Sequence, residues 1–189
     1  MNVSAQIISW FRKDPLPLFI SDPLLVVGGT NLISMFIESL AVKGGCGELG
    51  ITVPFVDSGF ILACPAWREL NHSDINLFVV VKRECDVEAA KSQLSQFPWR
   101  SLRIARFRTL HAKVFTFVGD NGASIALVGS HNLTAAAARS NYEAGILMST
   151  LHSGETAVTI ADLHEKSCSL LKISSQRYDS NRWPDYTIN

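Results

Sequence analysis

Short β-rich apolar runs, alternating with amphipathic stretches, constrain this chain more than any other feature. Residues 51–56 (ITVPFV), 75–81 (INLFVVV) and 124–129 (SIALVG) are almost continuously apolar. Strands of that composition are buried on both faces, which requires helices above and below the sheet. Helical spacing supplies them. Ile33, Phe36, Ile37 and Leu40 recur at three- and four-residue intervals, behind a cap at Thr30 or Asn31 and before a stop at Gly44. Further helices are expected over 59–70, 87–97, 134–139 and 156–171, and further strands over 24–27, 101–107, 111–118 and 144–148. Residues 3–11 fit either a helix or a strand. Gly119-Asp120-Asn121-Gly122 predicts a hairpin, because Asn-Gly tolerates the positive φ of a tight turn. The expected fold is α/β, a mixed β-sheet sandwiched between helices. One domain spans 1–173, and a polar tail over 174–189 carries Arg177, Tyr178, Arg182, Trp183 and Tyr186.

With 189 residues the chain is long enough for one core. Hydrophobic residues make up 47% and charged residues 18%, against about 25% charged in an average soluble domain. Disorder is excluded, and so few charges suggest that a partner covers part of the surface. Lys plus Arg and Asp plus Glu each number 17, so an anionic ligand must be drawn by a local basic patch. The apolar runs fall far short of the ~20 residues of a spanning helix. Arg12, Lys13, Asp14 and Asp22 stand where a signal peptide needs apolar sequence. Cys46, Cys64, Cys85 and Cys168 form no CxxC and read as buried free thiols of a reducing compartment. A cytoplasmic protein without membrane contact is expected.

Several patterns are discounted. Gly45-Cys46-Gly47-Glu48-Leu49-Gly50 matches GxGxxG, but a helix precedes it and a strand follows, the reverse of a dinucleotide site; it reads as a helix stop and loop. No GxSxG and no Walker loop occurs. His111, Asp120, His131 and Glu143 have no metal-ligand spacing, so neither a metal nor another cofactor is expected. His164-Glu165-Lys166 falls in a predicted helix, where a two-residue step turns the side chains about 200° apart; it reads as a solvated helix face.

One stretch combines groups that neither packing nor turn chemistry requires. His111 and Lys113 alternate on a predicted strand, so both project from one face, with Leu110, Ala112 and Val114 on the other. A neutral imidazole is a nucleophile, and a lysine beside it can clamp a phosphate oxygen. Ser130 and Asn132 share a face at the end of the next strand and offer hydroxyl and amide donors to the same oxygens. Asn132 lies just before the Thr134 helix, whose first N–H groups could add positive potential. Glu143 can accept a hydrogen bond from one imidazole nitrogen and leave the other free to attack.

Taken together, His111-x-Lys113, Gly129-Ser130-x-Asn132 and Glu143 resemble the motif of the phospholipase D superfamily, HxK and an aspartate, then GSxN, then a downstream glutamate. Leu110, Leu133-Thr134 and Asn141-Tyr142 agree as well, and the likeness covers residues 110–148. The family aspartate is missing: its position holds Val118, and the nearest acid, Asp120, lies in the turn as a doubtful structural substitute. The resemblance implies a phospholipase D-like fold and a metal-independent phosphodiesterase. Its members use two histidines, and this chain has one such motif, so the resemblance implies a homodimer with one composite site. The expected activity is a nuclease, DNA being the favoured substrate, that works through a phosphohistidine. His111 is the nucleophile; Lys113, Ser130 and Asn132 hold oxygens; Glu143 orients His111.

Arg103, Arg106 and Arg108, together with Arg100 and Lys113, form a run of five cations without an acid and are read as the substrate-binding patch. Lys82 and Arg83 end a neighbouring strand. The neutral surface and aromatic tail suggest work beside a larger motor or targeting subunit. The alternatives are a phospholipid phosphodiesterase of the same chemistry, and a decayed nucleic-acid-binding subunit of a larger complex.

Overall fold

A computed structural model describes residues 24–27, 32–43, 45–141, 143–149, 154–177 and 186–188. In chain order its elements are β1 (Leu24–Val27), α1 (Leu32–Lys43), β2 (Gly47–Thr52), α2 (Phe60–Ala63), β3 (Ile75–Val81), α3 (Glu84–Leu94), β4 (Ser101–Arg106), β5 (Val114–Gly119), β6 (Ser124–Gly129), α4 (Ala135–Arg139), β7 (Ala144–Ser149), α5 (Gly154–Arg177) and β8 (Tyr186–Ile188). The strands form one sheet in the order β1-β7-β6-β5-β2-β3-β4-β8. The pairs β2–β3 and β3–β4 are parallel; the other pairings are antiparallel. This is the expected mixed sheet between helices.

Alternation along the strands builds two cores. Leu49, Ile51, Leu77, Val79, Phe115 and Phe117 pack against α1 and the helices that follow β2. Trp67 anchors this side, fully buried, with its ring edge-on to Phe60 and Trp99 at centroid distances of 5.7 and 6.1 Å. On the other face α5 covers Phe78, Val80 and Ala105, and farther along Ala126 and Met148.

Several boundaries differ from expectation for identifiable reasons. The helix expected over 59–70 stops at Ala63, because Pro65 lacks an N–H and disfavours a helical residue before it. A 3₁₀ turn over Pro65–Glu69 continues the chain. The strand expected over 51–56 runs instead over Gly47–Thr52 and ends short of Pro54. Part of the glycine-rich run is therefore strand and not loop. A Cβ at Gly50 would overlap the Phe78 ring and the Thr116 hydroxyl, and one at Gly47 would overlap the Phe117 ring, so both glycines serve close packing. Helix α3 begins at Glu84, where buried Asp86 accepts from the Arg83 N–H at 3.2 Å and the Val56 N–H at 3.0 Å.

The expected hairpin joins β5 to β6, with Gly122 at φ +83°. Helix α5 continues to Arg177, beyond the boundary expected at 173, and Tyr186–Ile188 pair with β4. Residues 3–11, the caps Thr30 and Asn31, the stop at Gly44 and tail residues 178–185 lie outside the described residues. All four cysteines are free, but Cys46 and Cys85 are exposed rather than buried: one precedes β2 and the other sits in the first turn of α3. Among the described residues no helix is long and apolar enough to cross a membrane.

Candidate active site

The sheet register brings six strand ends to one edge. Thr52 lies beside Val80 and Val114, Val81 beside Arg106, Val114 beside Val128, and Gly129 beside Gly145. The crevice outside the carboxyl ends of parallel strands is where open α/β sheets place ligands. His111, Lys113, Ser130, Asn132 and Glu143 all fall in segments that leave or enter this edge.

His111 and Lys113 are not on the strand, which begins at Val114. A turn closed by the Leu110 N–H on the Phe107 carbonyl (3.0 Å) precedes them, and buried Leu110 fastens it under α5. His111 is left exposed and Lys113 half-buried. The Lys113 carbonyl accepts from the Gly129 N–H at 3.2 Å, and its ammonium donates to the His111 carbonyl at 3.3 Å. Lys82, which follows β3, brings Nζ to 3.4 Å from Nε2 of His111. In the sequence this lysine reads only as part of the basic surroundings. Its place at the end of an apolar strand run was the signal that could have put it in the site.

Ser130 and Glu143 form a second unit. The Ser130 N–H donates to the Ala144 carbonyl at 2.9 Å, and its Oγ accepts from the Ala144 N–H at 3.0 Å. The same hydroxyl donates to Oε2 of Glu143, whose Oε1 accepts from Asn141 at 3.1 Å. Glu143 is buried. Expected to orient His111, it is bonded to Ser130 and Asn141 instead, and the Ser130 hydroxyl, expected to hold a phosphate oxygen, is committed to Glu143. Oδ1 of Asn132 is buried without a partner among the described residues; it is an acceptor, so only the side-chain NH2 of this amide could meet an anionic oxygen.

Between them His131 is 1% exposed, with no partner for either ring nitrogen among the described residues. Burial pushes it down to about 4, against the opposing pull of the Glu143 charge. The ring occupies space left by two glycines: a Cβ on Gly129 or Gly145 would meet it at 2.9 Å. The glycine of the Gly-Ser-x-Asn run thus admits a buried imidazole.

Other expectations are corrected. Two of the first three N–H groups of α4 are already taken: Asp57 accepts from Ala135 at 2.8 Å and Thr134 from Ala137 at 3.2 Å. Asp120 lies beyond the far end of β5, seven residues from Lys113 and thus ~23 Å along the chain, so it cannot stand in at this edge. The arginine run is not free of acids in space. Arg103 pairs with Glu48 at 2.9 Å on the α5 face, and Arg106 lies 3.5 Å from Glu84; Arg108 is exposed in the turn before His111. His164 is no solvated helix residue but is buried on the inner face of α5. Among the described residues the group with donors suited to a metal is Glu48, His164 and Cys168, not the set at the candidate edge.

No family model matches the chain, and no curated protein matches it. In structure the chain is similar to Nuc, a phospholipase D family member from Salmonella typhimurium, at 17% identity over 80% of this chain and 89% of that one, TM-score 0.44. It is similar to NucT from Helicobacter pylori at 14% identity over 70% of this chain and 85% of that one, TM-score 0.44. It is also similar to TrmBL2, an archaeal chromatin protein, at 12% identity over 84% of this chain and 55% of that one, TM-score 0.47.

Proposed function

We propose that this chain is a phosphodiesterase of the phospholipase D type, a metal-independent nuclease cleaving DNA in a composite site shared by two copies of the chain. The observation that supports the reading is the ladder that joins its parts: Lys113 accepts from Gly129, and Ser130 holds Glu143. Residues far apart in sequence thereby stand at one sheet edge with an exposed imidazole and two ammonium groups, Lys82 and Lys113.

In this reading His111 attacks phosphorus, forming an N–P bond as the P–O bond to the leaving strand breaks. Protonated His111 of the partner subunit gives its proton to the leaving oxygen. The partner's His111, now neutral, takes a proton from water, which attacks phosphorus and releases the first His111. Lys113, Lys82 and the Asn132 amide hold the non-bridging oxygens, where charge builds in the transition state. Glu143, bonded to Ser130 and Asn141, fixes the segment that carries Asn132. Arg108 and the two lysines attract the backbone without reading bases. The cytoplasm, with its reduced thiols, is the proposed place of action.

The test is incubation of the full chain with supercoiled plasmid and with single-stranded DNA in EDTA, wild type beside His111→Ala, at a temperature where circular dichroism shows both folded. Cleavage by wild type and its loss in the variant are expected. Absence of wild-type cleavage, or undiminished cleavage by His111→Ala, would overturn the reading.

A further inference from the structure

Glu48, His164 and Cys168 meet beneath α5, away from the edge that carries His111. Glu48 lies four residues before Thr52 on β2, ~13 Å along the strand from that edge. His164 and Cys168 are four apart on α5, so they sit one above the other on one helix face. One donor atom from each residue lies within 4.8 Å of the others. Nε2 of His164 is 3.6 Å from Oε2 of Glu48, and Sγ of Cys168 is 4.0 Å from Oε1. Zinc in tetrahedral coordination, with bonds of ~2.0–2.3 Å, sets donor separations of ~3.3–3.6 Å. The His164–Glu48 separation already fits that range, and the remaining pairs would close by up to ~1.2 Å to complete the geometry.

The surroundings orient the donors as a metal requires. Nδ1 of His164 lies 2.9 Å from the buried Thr116 hydroxyl, and the ring packs edgewise on Phe78 at 5.4 Å. The outer nitrogen is thus held and the other is aimed at Glu48, the usual arrangement around a ligating histidine. Arg103 donates to Oε1 of Glu48 at 2.9 Å and leaves Oε2 facing the imidazole. The phosphodiester chemistry proposed above uses none of the three.

We propose that Oε2 of Glu48, Nε2 of His164 and Sγ of Cys168 bind a thiophilic divalent cation, zinc by the character of the donors, and so clamp α5 to the sheet. As the sulfur–metal bond forms, the thiol proton passes to solvent; no redox change occurs. Water fills the fourth position. Among the described residues α5 alone covers this face of the sheet, so the ion would tie the smaller core on that face to its lid.

The experiment uses the full chain, stripped with chelator and desalted, then titrated with Co²⁺ and afterwards with Zn²⁺. Wild type should show a thiolate-to-cobalt charge-transfer band that saturates at one equivalent and is displaced by Zn²⁺. Zn²⁺ should also raise the melting temperature by several degrees. Cys168→Ser should lose the band, and His164→Gln should weaken binding by at least about tenfold. A double variant of the exposed thiols, Cys46→Ser with Cys85→Ser, should keep it. No band in wild type, an unchanged band in Cys168→Ser, or its loss in the double variant would overturn the proposal. If Cys168→Ser does not fold, the wild-type spectrum and the double variant decide.

Discussion

The Ser130 hydroxyl donates to the carboxylate of Glu143, thirteen residues later in the chain, while accepting from the N–H of Ala144. One side chain thus joins the end of β6 to the start of β7 and holds a buried acid in place. Ser130→Ala removes both bonds and leaves the carboxylate with Asn141. A stability loss of about 1–3 kcal/mol is expected, the range for a buried polar group that loses a partner. Denaturant unfolding should show it, with cleavage falling because Glu143 is no longer fixed. Unchanged stability together with unchanged cleavage would separate Glu143 from the site.

His111 is exposed, so its removal should spare the fold. His111→Ala is expected to unfold like wild type and to cleave at least about a thousandfold more slowly, the scale seen when a nucleophile is removed. Lys82→Ala should keep the nucleophile and lose one ammonium, slowing cleavage by about tenfold, near 1.4 kcal/mol. An equal loss in the two variants would place Lys82 in the chemistry rather than beside it.

A composite site makes a quantitative demand on mixtures. When wild type and His111→Ala are unfolded together and refolded at set ratios, mixed dimers carry one imidazole and should be inactive. Cleavage should then fall as the square of the wild-type fraction. A linear fall would mean that each chain works alone.

Burial of His131 makes acid destabilising. Its folded pKa, about 4, is below its ordinary value. The unfolded chain therefore binds the additional proton between pH ~6.5 and ~4, and the stability present above pH 6.5 drains away as pH falls through that window. For His131 alone the loss amounts to about 3 kcal/mol by pH 4. His72, lowered by burial, adds in the same direction. His131→Leu should remain folded at pH 7 and lose less stability between pH 7 and 5. Parallel stability–pH curves would show that the ring is not the sensor.

The mixed sheet also predicts a sharp local intolerance. Gly50→Ala places a methyl group in the Phe78 ring and against the Thr116 hydroxyl. A loss of about 2 kcal/mol or more is expected, at the upper part of the range for overpacking. A melting temperature within a degree of wild type would mean that the Phe78 ring and the Thr116 side chain can move aside.

Much of this was legible beforehand. The apolar runs of β3 and β6, the hairpin at Gly122, the helical spacing in α1 and the long helix α5 are local periodicities, and they appear as read. His111, Lys113, Ser130, Asn132 and Glu143 were named from the sequence, and the register brings the segments that hold them to one sheet edge. Misreadings cluster where one residue decides a backbone: Pro65 cutting α2, Pro54 ending β2 early, and the turn that frees His111 from β5. Charge was the least legible property, because the acids that answer Arg103 and Arg106 come from β2 and α3.

Periodicity and residue type were enough for the layers of the fold and for naming the candidate residues, because hydrophobic spacing and side-chain functional groups are properties of short segments. Partnership was settled in three dimensions. Glu143 bonded to Ser130 rather than His111, Lys82 reaching His111, Asp120 stranded at the far end of β5, and His164 buried against Glu48 and Cys168 all depend on strand order and register. Those follow from how the whole chain buries its apolar surface at once, and no local pattern encodes a contact between residues more than a hundred positions apart.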